Sequence, residues 1–178
     1  MIMKKLFACV LALLLVLLSL AACGEKNEEQ IVESDPGTRG PAETTQTVQI
    51  PNPWTDCTSL EEAGKLAGFP FRAPDVLEGF PEKYIAAIEK EIAEVIFSNE
   101  DGTEVCFRKG LGTGDISGDY NDYKTTETRT IGGKTVTCKG NDGLVSNAAW
   151  TDGTYAYSVT STAGMTAEQL TAWVESLS

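Results

Sequence analysis

Histidine is absent from all 178 residues of the chain. That excludes Ser–His–Asp and Cys–His nucleophilic mechanisms, and every zinc site that needs imidazole. Basic residues are scarce as well, with 14 Lys and Arg against 26 Asp and Glu and a net charge of −12. A nucleic-acid partner is excluded with them, because phosphate binding needs a basic face. The five cysteines include no Cys-x-x-Cys spacing, so neither a dithiol redox motif nor a zinc knuckle is supported. The one long apolar run, Leu6 to Leu20, is too short for a comfortable transmembrane helix and no stop-transfer pattern follows it. No motif calls for a cofactor.

That run has a different use. Lys4 and Lys5 precede it as a charged n-region, and its length suits the h-region of a signal peptide. It ends in Leu20-Ala21-Ala22-Cys23-Gly24, which resembles the lipobox of bacterial lipoproteins. The resemblance implies cleavage after residue 22 and a lipid on the Cys23 thiol, which would hold the protein extracytoplasmically at the membrane. Each buried methylene of the lipid contributes about 0.8 kcal/mol. Loss of residues 1–22 removes two lysines and no acids, leaving 12 basic against 26 acidic residues. So acidic a body is repelled by an anionic bilayer, and the lipid alone would anchor it. Residues 23–53 then read as lipid site and disordered tether, with no aromatic and few large aliphatic residues to offset ordering entropy. As a flexible coil of about 30 residues the tether spans roughly 30 Å.

Residues 54–178 have the patterning of a single domain. Thr58 or Ser59 can cap a helix in which Leu60, Ala63, Leu66 and Ala67 share a face, and Gly68 is placed to stop it. The prolines at 70 and 74 force an extended segment next. Residues 83–97 are ambiguous. Ile85, Ile88, Ile92 and Val95 stand near helical spacing, which local propensity favours, whereas a turn at Glu89-Lys90 would make two strands. Beyond Ser98, turns at 99–102, 131–134, 140–143 and 151–154 delimit strands over 103–108, 135–139, 144–150 and 155–160. Thr166 and Gln169 form a capping-box pair, and Leu170, Trp173, Val174 and Leu177 line one face of a closing helix. The pattern is α+β: an antiparallel meander with an N-terminal and a C-terminal helix packed on one face.

Cys57, Cys106 and Cys138 fall in this domain, an odd number. Cys106 and Cys138 both lie in strand-like runs, so a disulfide between them is one expectation. The other makes all three small buried apolar residues.

A set of short motifs carries a wider resemblance. Glu62-Ala63, Ala67-Gly68-Phe69 and Pro74 belong to it, as do Asp115-Ile116-Ser117-Gly118-Asp119-Tyr120-Asn121 and Val136-Thr137. Lys139-Gly140-Asn141-Asp142-Gly143, Ala149-Trp150-Thr151, Tyr155, Tyr157-Ser158 and Gly164-Met165 complete it. Together they are similar to a domain-of-unknown-function family of bacterial, mostly Gram-positive, lipoproteins. That family is related to extracytoplasmic domains of anti-sigma-factor-like membrane proteins. The resemblance implies a curved antiparallel sheet with helices at both ends, and strands over 83–97. It carries no activity, ligand or catalytic residue.

The loop Gly114–Asp122 places Asp115, Ser117, Asp119 and Asp122 with the oxygen-ligand spacing of a calcium loop. It lacks the glycine and glutamate of an EF-hand, having Tyr120 and Thr126 in their places, and Asp–backbone turns explain it equally. Gly110–Gly114 lacks a phosphate-loop motif and a following helix. Paired carboxylates could serve a hydrolase, but no motif selects a pair. Trp54, Trp150, Tyr155, Tyr157 and Trp173 read mostly as core. Tyr120 and Tyr123, in a polar loop, read as exposed partner-binding candidates or as loop anchors. The expectation is a non-enzymatic, membrane-anchored binding module for a protein or cell-wall component. A carrier of an apolar ligand such as a lipid, and then a hydrolase, are the alternatives.

Overall fold

A computed structural model describes residues 51–178 of the chain. The expected signal segment, the lipidation cysteine Cys23 and the tether through residue 50 lie outside the described residues.

Strand β1 is a two-residue stub, Thr55–Asp56. Helix α1 follows at Leu60–Ala67. Ser59 is its N-cap and accepts from the Glu62 amide, and Gly68 closes it in the left-handed region at φ 85°. The expected cap, face and stop of this helix all appear. Residues 83–97 are two strands, β2 (Glu82–Ile88) and β3 (Ile92–Ser98), with Lys90 at φ 56° in the turn between them. The local helix signal is overridden because Ala86, Ala87, Ala93 and Val95 are all fully buried. A strand covered on both faces shows no polar stripe, so its apolar run imitates helical spacing.

Strand β4 is Glu104–Leu111, and the long connection 112–124 leads to β5 (Thr125–Ile131). Then come β6 (Lys134–Asn141), β7 (Leu144–Thr151) and β8 (Tyr155–Met165). Helix α2, Ala167–Ser176, starts from the expected capping box between Thr166 and Gln169.

All strands join one eight-stranded antiparallel sheet of order β1-β2-β3-β4-β8-β7-β6-β5. This corrects the simple meander. Two four-strand meanders are joined through β4 and β8, and the connection 112–124 carries the chain to the far edge. Turn residues reveal which strands are hairpin-linked, but not which strand fills an edge left open by a long connection. Register slips at Lys139/Gly140 and at Val145/Asn147 bend the second half. At the first of them, a side chain on residue 140 would run into the Leu144 carbonyl, so glycine is required.

The core is one cluster. Phe107 sits edge-on to Phe97 at 5.9 Å and to Trp173 at 6.1 Å, and Trp150 stacks on Tyr157 at 5.3 Å. Ala63 and Ala67 of α1 belong to it, as do Leu170, Trp173 and Val174 of α2.

Cys57, Cys106 and Cys138 are free thiols, which overturns the disulfide expectation. Two strands, β8 and β7, separate β4 from β6. Alternation along β4 turns Cys106 away from buried Val105 and Phe107, whereas Cys138 lies in the core with them.

Candidate functional site

Along β3 and β4, alternation sends Val95, Val105 and Phe107 into the core and Glu94, Cys106 and Arg108 to the other side. There the connection 112–124 is laid against the sheet, and buried polar groups hold it. Arg108 Nε donates to Glu94 Oε2 at 2.7 Å, and its Nη1 donates to the carbonyls of Ser117 (2.7 Å) and Ile116 (3.3 Å). The Trp54 ring lies 5.7 Å from the guanidinium. One side chain thus ties the sheet, the loop and the N-terminal approach together.

Asn147, 0% exposed, supplies the second tie. Its Nδ2 donates to Ser117 Oγ at 3.0 Å and to Asp119 Oδ2 at 3.1 Å. Asp119 also accepts from the Asn121 amide, the Asn121 side chain (2.7 Å) and the Tyr123 hydroxyl (2.6 Å). Burial acts to raise the Asp119 pKa, and this set of donors outweighs it and holds the carboxyl below its ordinary range. Asp115 behaves alike: burial opposes, while Ser117 and Lys139 pull its pKa down. At the far end, the Lys124 amide donates to Asn141 Oδ1 at 2.9 Å.

The calcium candidates do not converge. Asp115 and Asp119 spend their oxygens on loop amides, Lys139, Tyr123 and Asn147, the Ser117 hydroxyl is buried under Asn147, and Asp122 is exposed. Among the described residues no group of three or more His, Cys, Asp or Glu is placed to hold a metal ion. The tyrosine pair divides. Tyr120 is 96% exposed at the loop tip, whereas Tyr123 is half-buried and anchors the loop through Asp119.

Beside the loop lies a groove of about 520 Å³. Asp119, Asn121, Asp122 and Tyr123 line it from the loop, and Glu104, Arg108 and the hydroxyls of Ser146, Thr160 and Thr162 line it from the sheet. Cys106 also lines it. Burial is the main force pushing its thiol up to about 12, so it is a protonated, unreactive wall rather than a nucleophile.

Comparison with family models, curated proteins and solved structures found no match to this chain.

Sequence reasoning missed the residues that fix this site. Glu94 stands inside the apolar run IAEVIF, and a lone charge in a strand buried on both faces was the available signal for a partner. Asn147 and Arg108 carried none. Another buried polar residue, Lys109, was also missed. Its Nζ donates to the Pro70 carbonyl at 2.8 Å and sits 4.6 Å from the Tyr155 ring and 5.4 Å from those of Phe69 and Tyr157. This aromatic cage is closed by the protein's own ammonium, which fastens the extended segment after α1 to the sheet. Desolvation lowers the Lys109 pKa, with Asp152 partly opposing.

Proposed function

We propose that the protein is a membrane-anchored, extracytoplasmic lipoprotein, held through Cys23, whose domain is a non-enzymatic binding module recognising a cell-wall glycan or protein. The observation that carries the reading is the loop 112–124. Its base is fastened by half-buried Arg108 and fully buried Asn147, while its tip presents Tyr120 almost wholly to solvent. A pre-ordered loop costs little entropy when it binds, and a tyrosine supplies rigid amphipathic contact area. Amides and hydroxyls along the groove suit a hydroxyl-rich ligand. Asp119 in the groove and Asp115 in the same loop are pulled down in pKa, the opposite of what a general acid needs, which supports binding over hydrolysis.

We place both helices on the face opposite the groove. Their buried residues share one cluster with Val95 and Phe107, whereas Glu94 and Arg108 meet the loop. The resemblance to lipoprotein domains supports the anchoring. A lipid-carrying role has less support, because the apolar side chains of the core face pack on one another.

The test is crosslinking capture from intact bacterial envelopes with the lipidated full chain, run beside pull-down on soluble cell-wall oligosaccharides. Wild type captures a specific partner and Tyr120→Ala loses it. Equal capture by wild type and Tyr120→Ala overturns the reading, as does release of the protein from membranes that is unchanged by Cys23→Ser.

A further inference from the structure

The sheet has one long open edge. β5 pairs only with β6, and its residues Thr125 to Thr130 are exposed or half-buried. At the opposite edge β1 covers part of β2, but no strand among the described residues pairs with the outer edge of β5. An uncovered edge of unpaired amides and carbonyls is a template for another strand.

The phase of that edge follows from its hairpin. Ile131 and Lys134 close the two-residue turn Gly132-Gly133, both glycines at positive φ, so they form a hydrogen-bonded pair. Alternation then commits residues 129, 127 and 125 to β6. Thr126, Thr128 and Thr130 point their N–H and C=O groups outward.

The sequence of this edge, TTETRTI, is complementary to itself. A two-fold axis through Thr128 sets Glu127 opposite Arg129 of a second copy, and Arg129 opposite its Glu127. The same axis pairs Thr126 with Thr130 and makes Thr128 face Thr128, so every outward donor and acceptor meets one. Moving the axis to residue 127 puts Glu127 against Glu127, and moving it to residue 129 puts Arg129 against Arg129. Both shifts still set outward-facing threonines opposite one another, Thr126 against Thr128 or Thr128 against Thr130, so it is the like charges that disfavour them. Hydrogen-bond phase admits all three axes, and charge selects the one through Thr128. In the single chain Glu127 and Arg129 already pair with each other, with side chains 45% and 35% exposed and free to reach a neighbour.

We infer that β5 is a self-association edge: two copies pair antiparallel about Thr128 and extend the sheet across a two-fold axis. The partner is a second copy of this chain, recognised by its Glu127–Arg129 pattern.

Sedimentation velocity of the full chain in detergent micelles, with reductant present to exclude thiol-linked dimers, tests this. Wild type dimerises with rising concentration. E127K and R129E each weaken the dimer by at least about tenfold, because like charges then face each other. The swapped variant E127R/R129E restores dimerisation to within about threefold, which a merely misfolded single variant could not foretell. Amide exchange at Thr126, Thr128 and Thr130 slows as the dimer forms, while residues 125, 127 and 129 are protected at every concentration. A wild type that stays monomeric at about 100 μM overturns the proposal, leaving the edge to a strand of another protein. So does a dimer indifferent to E127K, or a swapped variant that fails to recover.

Discussion

Arg108 and Glu94 meet at 2.7 Å across the β3–β4 pair, and the same guanidinium reaches over to the Ser117 carbonyl at 2.7 Å. A largely buried ion pair is therefore also the clasp of the loop 112–124. Its geometry uses the planar fork of arginine, which a lysine ammonium cannot reproduce.

Arg108→Ala is expected to cost about 3 kcal/mol, because Glu94 is left buried without its partner. Arg108→Lys recovers the ion pair but not the loop. Urea unfolding measures the first effect, and limited proteolysis within residues 112–124 measures the second. Cleavage of the Lys variant at the wild-type rate would refute the clasp.

Gly118 lies at φ 65°, where a Cβ would also strike Arg108 Nη1. Gly118→Ala thus combines a left-handed strain of about 1 kcal/mol with displacement of the guanidinium. The expected outcome is loop proteolysis resembling Arg108→Ala, with the sheet's circular dichroism intact.

The two loop tyrosines separate by stability. Tyr120→Ala stays within about 0.5 kcal/mol of wild type, because the side chain is solvated. Tyr123→Phe loses about 1 kcal/mol with the hydrogen bond to Asp119. Parallel denaturant melts distinguish them.

Acid loosens the loop through Asp119 and Asp115. Their pKa values are lowered on folding, so their contribution is complete above the ordinary carboxylate value of about 4. It is lost as pH falls through the lower folded values. Stability measured between about pH 5 and 2 declines, and Asp119→Asn flattens part of that decline.

Lys109 gives a slope of the same sign at alkaline pH. Its pKa is lowered in the folded state, so the unfolded chain binds more protons and stability rises as pH climbs toward the ordinary lysine value of about 10.4. Lys109→Met removes that rise. Unfolding curves from about pH 8 to 10 decide it.

Much of this molecule follows from short-range rules. The cap at Ser59, the stop at Gly68, the capping box at Thr166 and the glycine hairpins all appear where their residues place them, since each depends on backbone chemistry within a few positions. The absence of histidine and the acidic balance likewise bound the chemistry without any coordinates. Position along the chain even located the loop with Asp119, Tyr120 and Tyr123.

Only the tertiary structure decided the rest. Residues 83–97 become strands because they are covered on both faces, a fact that local periodicity does not contain. β8 rather than β5 takes the edge of β4, so Cys106 and Cys138 stand two strands apart, and Tyr123 turns inward while Tyr120 turns out. Glu94, Arg108 and Asn147 come together across 53 residues of chain because a buried charge or amide must find partners once water is removed, and which partner is near is set by the order of strands.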